Sequence, residues 1–232
     1  MSNLEESQQR IAFVVGTDSG DKLVAGNRDV TRVYSLLTDP QLGMCKIKGP
    51  KPFVGCNSKQ EFTDWLYPLL VDWKSKDQFI FYFTGHGEIV RGQYCLRLGH
   101  SDIDIYPFDN LMNDFQIWGV IRAILILDTC YSGAAAGTKG DEGSFLAVHE
   151  EKIPKGIAIA TSSRAIETSK ELPDGSSSVF THLFCQAIET GLDGKPTLDG
   201  HIAVDDVVTY IAGKLESDEE LKAFHQRPVY SQ

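Results

Sequence analysis

Long apolar runs, clusters of basic residues and paired cysteine spacings are all missing from this 232-residue chain. No stretch approaches the roughly 18 to 20 apolar residues that cross a bilayer, and residues 1–10 are polar, without the apolar segment of a signal peptide. No membrane partner is expected, and a cytoplasmic location is. Lys and Arg number 22 against 32 Asp and Glu, a formal charge of −10. Binding to phosphate backbones needs clustered Lys and Arg, so no nucleic acid is expected as a partner. The five cysteines, at 45, 56, 95, 130 and 185, are an odd set with no Cys-x-x-Cys spacing. That disfavours a disulfide framework and a zinc cage, and it fits a reducing compartment. There is no internal repeat.

What the chain does have is enough apolar content, 42%, for one substantial core. A short polar tail, 1–10, precedes a single domain, 11–232. Ile11–Gly16, Pro52–Cys56, the run from Phe79, the run from Ala123 and Gly156–Thr161 are short, apolar and bounded by Gly or polar residues, as strands buried on both faces of a parallel sheet are. Between them lie helical periodicities. One covers about Asn27–Leu37. Another follows Ser58 and Glu61, spaced as a capping box, and carries Phe62, Trp65, Leu66, Leu69, Leu70 and Trp73, with Pro68 expected to kink it. A third has Phe180, Leu183, Phe184, Ala187 and Ile188 on one face before Gly191, and a last one carries Val204, Val207, Val208, Ile211 and Leu215. This alternation predicts an α/β fold, a three-layer αβα sandwich around a mainly parallel sheet of about six strands. Residues 134–155 are small, glycine-containing and charged, and read as a mobile loop.

Two apolar runs stop at reactive side chains: Phe79-Ile-Phe-Tyr-Phe-Thr-Gly-His86-Gly-Glu88 and Ala123-Ile-Leu-Ile-Leu-Asp-Thr-Cys130-Tyr-Ser-Gly133. Ligands of open α/β sheets bind beyond the carboxyl ends of the strands, so an imidazole and a thiol are expected just past two strand ends, at one rim. A free thiol has a pKa near 8.5, and an adjacent imidazole either raises its thiolate fraction or takes its proton during attack. Gly87 lets backbone approach an oxyanion without obstruction. Ser132 lacks the Gly-x-Ser-x-Gly elbow of serine hydrolases. Blander readings exist for each residue. Cys130 alone would be a small core hydrophobe, His86 a hydrogen-bonded turn residue, Asp128 a loop carboxylate, and Asp29 a partner of a helix dipole.

The Gly85-His86-Gly87 and Asp128-Thr-Cys130-Tyr-Ser-Gly133 segments resemble, in order and spacing, the two active-site signatures of the caspase-like cysteine peptidases. Animal caspases carry glutamine two positions before the nucleophile, whereas metacaspases and their bacterial relatives carry aspartate, as Asp128 does here. The chain is therefore similar to a bacterial metacaspase, or orthocaspase, more than to an animal caspase. Leu23–Val30 is similar to an early metacaspase motif whose aspartate, matched by Asp29, helps build the pocket for a basic substrate residue. The departure is that the family's usual Gly-Cys-x-Asn-Asp is here Ala25-Gly-Asn-Arg-Asp29.

The resemblance implies a Cys130–His86 dyad working through a thioester acyl-enzyme, with the backbone N–H groups of Gly87 and Cys130 as oxyanion donors. It also implies a basic-residue pocket floored by Asp128 and Asp29. The expected function is endopeptidase cleavage after Arg or Lys of protein or peptide substrates. The alternatives are a peptidase of acidic specificity and a catalytically silent module of the same fold. No cofactor is needed for the chemistry. Many metacaspases need calcium, and Asp102, Asp104 and Asp109 stand where that family's acidic cluster is expected, although the segment is no EF-hand and a solvated acidic loop is the other reading. Self-cleavage is expected within 134–155, at Lys139, Lys152 or Lys155. The chain ends about where animal caspases continue into their dimer-making strand, so a monomer is expected, controlled by a metal, loop cleavage, substrate supply or a regulatory partner in trans.

Overall fold

Aromatic and branched residues crowd the pleated strands because only a sheet covered on both faces can bury them all. In the computed structural model these runs form one eight-stranded sheet. The structure describes residues 8–17, 26–46, 52–71, 73–131, 154–162, 171–195, 200–224, 226 and 228–232. The strands are β1 (Arg10–Thr17), β2 (Phe53–Cys56), β3 (Gln78–Val90), β4 (Gln93–Arg97), β5 (Ile105–Pro107), β6 (Ala123–Tyr131), β7 (Ile157–Thr161) and β8 (Val229–Ser231). The helices are α1 (Gly26–Thr38), α2 (Lys59–Leu70), α3 (Phe108–Trp118), α4 (Val179–Glu189), α5 (Gly191–Gly194), α6 (Val204–Ser217) and α7 (Glu219–Lys222).

Strand order is β2-β1-β3-β6-β7-β8, with β4 and β5 attached beside the far end of β3. The first five strands of that path are mutually parallel, and β8 runs antiparallel to β7. Alternate residues feed opposite faces. Phe13, Phe79, Phe81, Phe83, Leu125 and Leu127 pack with α2 and α3, whereas Val14, Ile80, Tyr82 and Ile126 pack with α1, α4 and α6. The result is the three-layer sandwich expected, with six strands on the main path and two more beside it.

Three local expectations change. The capping box holds α2 at its start, Ser58 Oγ accepting from Glu61 N–H at 3.2 Å, but the Glu61 carboxylate reaches Asn57 N–H at 3.1 Å. That helix runs through Pro68 and ends at Leu70, so Trp73 packs on the core from beyond it. At the chain's end, where the sequence gives no strand, Val229–Ser231 pairs with Thr161, Ala160 and Ile159 at the sheet edge. Among the described residues no helix is long and apolar enough to cross a membrane.

Candidate active site

Both reactive residues lie inside strands rather than just past their ends. Gly85 and Gly87 suggest a turn, yet β3 runs on to Val90 because a second partner takes over its hydrogen bonding. After β1 leaves at Thr84, β4 pairs antiparallel with His86–Val90. On its other side β3 stays with β6, in register Thr84↔Asp128, Gly85↔Thr129, His86↔Cys130 and Gly87↔Tyr131. Adjacent strands run about 4.7–4.9 Å apart, so the backbones at positions 86 and 130 are direct neighbours. By the two-residue period, both positions fall on the face of Tyr82 and Ile126. His86 is half-buried, and its Nε2 is buried with no hydrogen-bond partner among the described residues.

Gly87 faces the other way, onto Tyr94. A Cβ there would lie 2.2 Å from the Tyr94 hydroxyl, which itself bonds Thr129 Oγ1 at 2.7 Å. Tyr94 thus sits beneath the strand pair that carries His86 and Cys130, and only glycine leaves room for it. Nothing local in the sequence marks Tyr94, since its contact with residue 129 is made across strands. Gly87→Ala is expected to destabilise the fold by about 1–3 kcal/mol through overpacking, read as a Tm lowered by several degrees in thermal unfolding.

Asp29 and Asp128 come together although far apart in sequence. Asp128 follows the last buried apolar residues of β6, and Asp29 sits in the first turn of α1; they are 2% and 1% exposed. Between them lies the start of α4. Ser177 Oγ donates to Asp29 Oδ1, and Ser178 N–H donates to Asp29 Oδ2 at 2.9 Å. Ser178 Oγ donates to Asp128 Oδ2 while accepting the N–H of Thr181 as the helix N-cap. Thr181 Oγ1 donates to Asp128 Oδ2 at 2.7 Å, which leaves the Tyr82 hydroxyl, 2.6 Å from Thr181 Oγ1, as the donor to Thr181. Burial pushes the Asp29 carboxyl up to about 7, the bonds from Ser177 and Ser178 pull it back, and the neighbouring charge of Asp128 raises it further. Two carboxylates sharing one buried site repel each other, a repulsion that a proton on one of them or a cation between them relieves. Ser177, Ser178 and Thr181 were not foreseen, though a serine run directly before a helical pattern is an N-cap signal.

The other candidates are not gathered here. Asp102 is exposed on a turn, Asp104 Oδ1 accepts Lys59 N–H at 3.3 Å at the start of α2, and Asp109 faces Gln93 at 3.5 Å. Among the described residues no group of three or more His, Cys, Asp or Glu could hold a metal, so these three do not form the expected cluster. The physical reason is that Asp104 is turned to α2 and Asp109 to β4. Lys155 is exposed just before β7, while Lys139 and Lys152 lie outside the described residues. Cys45, Cys56, Cys95 and Cys185 are free and buried. Burial pushes the Cys45 thiol up to about 11 and those of Cys56 and Cys185 up to about 12, so none of these three is poised as a nucleophile.

Comparison with known proteins agrees with this architecture. The initiator caspase Dronc of Drosophila superposes with a TM-score of 0.62 at 12% identity, over 97% of this chain and 79% of that one. Caspase-1 of Spodoptera frugiperda superposes with a TM-score of 0.63 at 17% identity, over 99% and 88%. At such identities the likeness is one of fold. No match was found among the curated proteins. The Peptidase_C14 caspase domain matches residues 9–232, almost the whole sequence, and this chain therefore belongs to the caspase domain family.

Proposed function

We propose that this protein is a cysteine endopeptidase that hydrolyses peptide bonds after Arg or Lys. The observation that carries the reading is the in-register pair His86↔Cys130, one step along β6 from a buried carboxylate pair on the same face. Cys130 attacks the substrate carbonyl as thiolate, its proton passing to His86. The oxyanion that forms is met by the backbone N–H groups of Gly87 and Cys130, the donors the family resemblance implies. His86 then protonates the leaving amine, the carbon–nitrogen bond breaks, and a thioester remains on Cys130. A water molecule, deprotonated by His86, hydrolyses that thioester and frees the thiol. No step needs a cofactor.

Asp128 and Asp29 supply the specificity. A guanidinium or ammonium entering their site would offset two negative charges in a desolvated setting, whereas an acidic side chain would be repelled. Fluorogenic peptides ending in Arg, Lys or Asp, assayed with and without calcium, test the reading. Turnover of the Arg and Lys peptides by the native protein and none by Cys130→Ala is expected. Cleavage after Asp alone would instead establish the acidic specificity of animal caspases, and no cleavage of any peptide a silent module. The same samples on a gel report self-cleavage: a band that shortens only when Cys130 is present supports cutting near Lys139, Lys152 or Lys155.

A further inference from the structure

Cys130 and His86 belong to a row that does not end at His86. In the antiparallel ladder of β3 and β4, Arg97 stands directly across from His86 and Cys95 across from Glu88. The row therefore reads Arg97, His86, Cys130 over three adjacent strands. Tyr94 and Leu96 are packed in the core on one face of β4, so Arg97 lies on the face of His86 and Glu88. Among the described residues the α1, α4 and α6 layer packs on this face at Val14, Ile80, Tyr82 and Ile126, and Arg97 and Glu88 each keep 21% of their side chain exposed. The guanidinium is fixed. Its Nη2 is 2.5 Å from Glu88 Oε1, and its Nη1 donates to Ser101 O at 3.3 Å and Gly99 O at 3.5 Å.

Which part of a substrate crosses this pair follows from the reaction. His86 protonates the leaving nitrogen, so the leaving segment must depart from Cys130 over His86, while the acyl half keeps its basic side chain in the Asp29–Asp128 site. The next strand in the departing direction is β4. We propose that Glu88 and Arg97 form the subsite for the leaving segment and read the charge of its first residue. This rests on the assignment of Cys130 and His86 as nucleophile and base. The two charges nearly cancel in the native protein, so the subsite discriminates weakly; removing one uncovers the other.

The test compares two peptides of identical sequence up to a cleaved Arg, one followed by Asp and one by Lys. For each protein the ratio of their kcat/KM values is taken, so that any general loss of activity cancels. Glu88→Gln is expected to shift the ratio about tenfold toward Asp, and Arg97→Gln about tenfold toward Lys. The exchanged pair Glu88→Arg with Arg97→Glu is expected to return it to near the native value, and covers the case in which a single variant fails to fold. Ratios that stay at the native value in all variants while the native protein still cleaves after Arg overturn this subsite alone. If the native protein cleaves neither peptide, the peptidase reading falls and the subsite with it.

Discussion

His86→Ala is expected to lower kcat/KM for Arg-terminated peptides by about 10²–10⁴-fold, the usual contribution of a positioned general acid–base, and Cys130→Ala to reduce turnover to background. The two losses differ in kind. Without sulfur no acyl-enzyme forms, so a burst of released fluorophore disappears altogether. Without the imidazole the thiol still attacks in its few per cent of thiolate, and raising the pH toward 9 should recover part of the rate. A pH–rate profile of His86→Ala that stays flat to pH 9 would mean that proton removal from Cys130 is not what this side chain does.

Removing a carboxylate of the proposed pocket is the second large effect expected. Truncating one partner of a desolvated charge pair costs about 2–5 kcal/mol, which corresponds to roughly 30- to several thousand-fold in kcat/KM. Asp128→Ala should show it for Arg and Lys peptides, and Asp29→Asn should show its lower end. The pH dependence separates the two carboxylates. Asp29, pushed up to about 7 chiefly by burial, must lose its proton to hold a cation, so KM for Arg peptides should fall as pH rises from 6 to 8. Asp29→Asn should flatten that fall.

Stability runs the opposite way. The folded state retains the Asp29 proton that the unfolded chain releases near 3.8, so the contribution of this group to stability is greatest below about pH 4. It declines as pH rises toward 7, by up to about 1.4 kcal/mol per pH unit, and the decline ceases above that point. Chemical denaturation of the native protein and Asp29→Asn at pH 5 and pH 8 measures it: a native protein no less stable at pH 8 relative to the variant would refute the assignment. The charge proposed to recruit a basic side chain is the charge the fold resists.

Much of this was legible in the chain because a strand buried on both faces has few ways to be written. Phe79–Phe83 and Ala123–Leu127 are apolar without interruption, and their partners in space are strands of the same character. The strand ends were misplaced for a reason equally physical. Gly85 and Gly87 have the composition of a turn, and their pairing with Thr129 and Tyr131 of β6, joined from His86 on by β4, a short strand of mixed polarity, keeps them in the sheet. β5 and β8 are three residues each, too short to show a period. Asp29, Asp128, Tyr94 and Arg97 are long-range partners of the site. The resemblance singled out the first two by position, but their joining through Ser177 and Ser178 is a matter of tertiary packing, as are the other two.

The serine that begins α4 has two duties at once. Its hydroxyl closes the first turn of the helix through Thr181 N–H and also holds Asp128, while its own N–H holds Asp29. On the proposed function, selectivity and architecture are consequently written in one residue. A lineage drifting toward a different preferred side chain at this position could not simply exchange the acids; it would have to find a new way of starting the helix that spans the back of the sheet.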